Sequence, residues 1–115
     1  MKDDAVYLQH ILECIARIEQ YTKVGRTEFT ASTLIQDGVI RNLQTLGQSV
    51  LKLSEPFTSS HPEIDWKSIV GLRNVLVHDY LGVSVTRVWE IVERDLPALK
   101  TKILAVQSTK THPPT

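Results

Sequence analysis

Apolar residues recur every three or four positions along nearly the whole chain, and no segment alternates apolar with polar residues for the length of a strand. That spacing matches the turn of an α-helix and gives each segment one apolar stripe to bury. Tyr7, Ile11, Cys14, Ile18 and Tyr21 make the first stripe, over roughly residues 4–24. Asp3 or Asp4 is placed to cap its start, and Gly25 to end it in the left-handed conformation. Ile35, Val39, Leu43, Leu46, Val50 and Leu53 make the second, over roughly residues 31–54, between Thr30 as N-cap and Pro56 as stop. Asp37 and Arg41 lie one turn apart on another face and suit a surface ion pair. "EPFTSSHPEI" reads as a loop in which His61 is simply solvated. A third helix opens behind Asp65 with "WKSIVGLRNVLVH" and should end near Tyr80, because Gly82 follows. The fourth begins near Ser84 or Thr86 and carries Val85, Val88, Val92, Leu96, Leu99 and Ile103. Pro97 falls inside that pattern and predicts a kink or a restart, with Asp95 able to cap the restarted piece.

Four such segments with short connections predict an all-α fold, an antiparallel helical bundle. One domain should cover residues 1–105, with residues 106–115, ending "QSTKTHPPT", as a flexible polar tail. A chain of 115 residues can bury a modest core unaided. Its 13 Lys and Arg balance 13 Asp and Glu, so no global basic field advertises a polyanion, and attraction to RNA would need a local patch. The single cysteine, Cys14, leaves no internal disulfide framework and no cysteine-based zinc site, and a reducing cytoplasm is the expected compartment. "MKDDAVYLQH" lacks the apolar run of a signal peptide, and no stretch approaches the length of a membrane span.

The third helix breaks the amphipathic pattern. At about 100° per residue, Ile69, Leu72 and Leu76 share one face. Gly71, Asn74 and His78 share roughly the opposite one, with Arg73, Val77 and Tyr80 between. A helix that is apolar around most of its circumference expects cover on most of it, and in so small a domain a partner subunit would supply that cover. The alternative is a helix central within the monomer. Arg73 and His78 lie about 140° apart and about 7.5 Å apart along an ideal helix. Either a distortion near His78 or a two-fold dimer would be needed to bring both to one atom.

The residue types suggest a chemistry. Histidine moves protons near neutral pH. Arginine holds a phosphate by two hydrogen bonds and stabilises the extra charge of its transition state. Asn74 could orient the imidazole or bind a phosphate oxygen. With RNA the reaction requires neither metal nor cofactor: a base takes the 2′-OH proton, the oxygen attacks phosphorus, and an acid protonates the leaving 5′-oxygen.

The stretch "GLRNVLVHDY" resembles the R-x4-6-H motif of the HEPN superfamily (higher eukaryotes and prokaryotes nucleotide-binding domains). In the form Arg73-x4-His78-x-Tyr80 it is similar to the HepT branch, as are "DGVIRNLQTLGQS" and "PEIDWKSIVGLRNVLVHDYLGVSVTRVWEIVERDLPALK". The resemblance implies a four- to five-helix bundle that homodimerises through the motif helix. It implies a metal-independent endoribonuclease toxin with Arg73 and His78 in a composite cleft and Asn74 at the polar position beside the Arg. It further implies a minimal nucleotidyltransferase antitoxin, higher hetero-oligomers with that partner, and silencing by AMP transfer to Tyr80. On an unbroken helix Tyr80 would share the stripe of Arg73. The chain departs from the family at Gln44 and Gln48, where acidic residues are common, and at Asn42, where a basic residue is frequent. A different class of function also fits the residues: a non-catalytic nucleotide-binding or partner-docking module. In a third, a purely structural bundle, the polar residues would satisfy one another at the dimer interface.

Overall fold

Each apolar stripe forms a helix in the computed structural model, which describes residues 2–111; among these the chain contains no strand. Two long helices come first, α1 (Lys2–Thr22) and α3 (Thr33–Leu51), with the short α2 (Arg26–Ala31) between them. The short α4 (Glu55–Ser60), the motif helix α5 (Trp66–His78) and a 3-10 turn (Tyr80–Gly82) follow. The C-terminal rod is α6 (Val85–Glu90), a π-helical turn (Ile91–Asp95) and α7 (Leu96–Thr111). Among the described residues no helix is long and apolar enough to cross a membrane.

Cross-helix bonds fix the directions. The Asp4 carboxylate accepts from the backbone N–H and hydroxyl of Ser54, each at 2.8 Å, which ties the start of α1 to the end of α3. Lys100 donates to Glu19 at 3.0 Å and Gln107 to Gln9 at 3.2 Å, so α7 runs antiparallel to α1. The core lies where these helices meet: Leu8, Ile11, Ile15 and Ile18 of α1, Val39, Leu43 and Leu46 of α3, and Ile103 of α7 are all buried. Phe29 of α2 and Trp89 of α6 close one end, their rings 5.2 Å apart.

Several local expectations change. Asp4 is not a helix cap. It is buried, and its carboxyl oxygens accept hydrogen bonds across the fold from Ser54. Gly25 does take a positive φ of 95°, but with ψ of 174° it lies outside the left-handed helical region and serves as the N-cap of α2. Ser32, whose hydroxyl accepts from Ile35 N, replaces Thr30 as the cap of the second long helix. The segment read as a loop contains α4, because Ser54 caps Phe57 N and Pro56 sits in the first turn, where its missing N–H costs nothing. At Pro97 the rod restarts, as expected: α7 begins at Leu96. The chain widens into a π turn just before it, with Leu96 N–H bonded to Ile91 O, which absorbs the steric demand of the proline ring. Finally, α7 continues to Thr111, past the residue 106 boundary, because Val106 extends the buried stripe of Leu99 and Ile103. Residues 112–115 of the expected tail lie outside the described residues.

Candidate active site

The motif helix is pinned at both ends. At its start the Asp65 carboxylate accepts from Ser68 N at 3.2 Å and Ser68 Oγ at 2.6 Å. These bonds hold the Asp65 carboxyl below its ordinary pKa. Trp66 Nε1 donates to His61 O at 3.0 Å. At its far end Asp79 N–H bonds to Val75 O at 2.8 Å, and Gln44 of α3 donates its side-chain amide to Leu76 O at 2.9 Å.

Between these ends α5 packs closely on α3 and leaves a cavity of about 430 Å³ toward the C-terminal rod, lined by Leu43, Leu72, Ile91 and Leu99 among others. The register on α3 is tight. A Cβ placed on Gly47 would overlap the Cβ of Arg73 and stand 2.8 Å from its Cγ. So Gly47 faces Arg73, Gln44 faces Leu76, and the two helices run antiparallel. Sequence reasoning missed both contacts. The available signal was a glycine inside a helical stripe, which lowers helix stability by about 1 kcal/mol relative to alanine and needs a packing reason.

Arg73 is half-buried, and its guanidinium donates to Asn74 Oδ1 at 2.8 Å. Asn74 therefore orients the arginine and not the imidazole. His78 is exposed and is the last α-helical residue. The helix ends two residues earlier than expected, and Tyr80 opens the 3-10 turn, off the regular α5 stripe. Because α5 stays α-helical through His78, no distortion swings His78 toward Arg73, and among the described residues no hydrogen bond joins them. The helix is not central either. Its outward side stays uncovered, with Val75 51% and Val77 42% exposed, and Leu81 beyond it 95% exposed. Of the departures from the family pattern, Gln48 is exposed, and Asn42 is buried with its amide on Gly38 O. Elsewhere, Cys14 is buried in α1 and burial raises its thiol pKa, which suits packing better than chemistry.

An all-α bundle with Arg73 and His78 on one partly uncovered helix is what the resemblance to the HEPN superfamily implies. The family model described as "Ribonuclease HepT-like" matches residues 11–106, and the chain belongs to that family. It is 40% identical over 107 residues to a Methanocaldococcus jannaschii protein named "Gamma-glutamylcyclotransferase and putative RNase", covering 91% of this chain but only 48% of that one. It is 36% identical over 97 residues to the "Probable ribonuclease HepT" of Thermococcus cleftensis, covering 84% and 88% of the two chains. It is 32% identical over 104 residues to a "Putative RNase" of Caldanaerobacter subterraneus, covering 90% and 93%. No solved structure matches the chain.

Proposed function

We propose that the protein is a metal-independent endoribonuclease of the toxin class, acting as a homodimer through a cleft that two copies of α5 build together. The observation that carries this is the placement of Arg73 and His78. Both lie in the last two turns of a helix whose outward side is open, yet about 140° apart around it, so one helix presents them poorly to the same atom. A two-fold axis beside α5 doubles the pair and would cover exposed apolar surface of that helix.

In that cleft one His78 takes the proton of a ribose 2′-OH. The freed oxygen attacks the adjacent phosphorus. Arg73, steadied by Asn74, holds the non-bridging oxygens as charge builds on them. The bond to the 5′-oxygen breaks, and that oxygen takes the proton back from the same His78. The products are a 2′,3′-cyclic phosphate and a 5′-hydroxyl, with atoms and charge balanced without a metal. Silencing belongs to a nucleotidyltransferase antitoxin. The Tyr80 phenol attacks the α-phosphorus of ATP, pyrophosphate leaves, and the phenolic proton passes to solvent. The resulting AMP is a bulky anion at the turn directly after His78 and competes with the RNA phosphate.

A non-catalytic module that docks a nucleotide or the antitoxin is the second reading. It is favoured by the net charge of +0, since ribonucleases gain from a basic surface. Cleavage of RNA in EDTA separates the two. Protein shown by intact mass to carry no AMP should leave cyclic-phosphate ends, and His78→Ala should lose turnover by about 10²- to 10⁴-fold. Intact RNA after incubation with the unmodified wild type would favour the docking module.

A further inference from the structure

We infer that Gln44 is a positioning residue for His78. The inference rests on the ribonuclease reading for its catalytic consequence, but the geometry stands by itself. α5 leaves α-helical form after His78, so its last carbonyls lack partners from within the helix. One of them, Leu76 O, belongs to a residue that is fully buried. It accepts from Gln44 Nε2 at 2.9 Å, from a helix 32 residues away in sequence. Gln44 itself is half-buried on the central helix, one turn from Gly47, which seats the stem of Arg73. Two neighbouring positions of α3 therefore hold both functional turns of α5. Gly47 sets the approach of the arginine, and Gln44 clamps the turn that ends in the histidine.

The clamp depends on an N–H donor. A thioether of similar length fills the space and forms no such bond. Without the clamp the last turn of α5 is free to fray, and His78 is exposed, with no burial to hold it. Catalysis is sensitive to such a loss, because a misplacement of about 1 Å can lower turnover about 100-fold.

The test compares wild type with Gln44→Met and Gln44→Leu by three readouts: thermal melting, RNA cleavage kinetics in EDTA, and NMR of isotope-labelled histidine rings. The protein has four histidines, and the His78 ring is assigned by its loss in His78→Ala. The expected result is a kcat lowered by about 10- to 100-fold in both folded variants, KM for RNA within about two-fold of wild type, and displaced His78 ring signals. A purely structural glutamine would lower the melting temperature while leaving kcat per folded molecule and the His78 signals unchanged, and that outcome overturns the proposal. If wild type does not cleave RNA, the ribonuclease reading fails separately. The ring signals then decide the positioning role: displaced signals support it and unmoved signals reject it.

Discussion

At the scale of single residues, the polar side chains that looked alike in sequence take different duties. Asp4, one of two candidate caps for α1, is a buried tie between the start of α1 and the turn after α3. Asp65 is the cap it was expected to be, and its effect on stability has a definite sign. Its pKa in the folded chain is lowered from the ordinary 3.8, first by the Ser68 hydroxyl and then by the Ser68 N–H. The unfolded chain therefore binds the proton more readily. The stabilisation is fully present above the ordinary aspartate range and fades as the pH falls through the lower folded value. Asp65→Asn should melt lower than wild type at pH 6, and the gap should narrow as the pH drops from about 4 toward 2. A gap that stays constant across that range would mean that the carboxylate charge is irrelevant to the cap. None of these assignments could be read in sequence beyond the cap itself. Asp4 and Ser54 meet only because α1 and α3 pair antiparallel.

Helical elements were legible where periodicity was strong and hidden where it was short. The stripes of α1, α3 and the C-terminal rod are all seen in the residue spacing. The six-residue helices α2 and α4 are too short to show a period; Gly25 opens α2, and the capping Ser54 opens α4. The π turn before Pro97 was legible only as trouble with the proline. At the candidate site, sequence supplied Arg73, Asn74 and His78 on one helix, but not the α3 surface that seats them. Gly47 makes that dependence measurable. Replacing a helical glycine by alanine gains about 1 kcal/mol in helix propensity, whereas forcing a methyl group into a packed contact costs about 1–3 kcal/mol. The Arg73 stem lies within 2.8 Å of the new methyl position, and backbone must move with it, so the cost should win. Urea titration of Gly47→Ala should show a net loss of up to about 2 kcal/mol, with impaired RNA cleavage. Unchanged or raised stability would show that α5 can shift away from α3 freely.

For the whole molecule, the chain folds as a bundle in which α3 is flanked by α1 and α5, while α5 has no second neighbour packed as closely. That asymmetry is the physical content of the odd motif helix. The fold covers one apolar side of it and leaves Val75 and Val77 exposed around the rest. A partner copy on the open side would bring an arginine and a histidine from each chain into one cleft, and the most direct measurement tests for that composite. Arg73→Ala and His78→Ala proteins are assayed on RNA in EDTA, each alone and after unfolding and refolding as an equal mixture. Each variant alone should be nearly silent. The mixture should regain cleavage, because mixed dimers hold one intact arginine and one intact histidine around the shared cleft. A mixture that forms mixed dimers but stays as silent as its components, under conditions where wild type cleaves, would contradict a cleft built from two copies of α5.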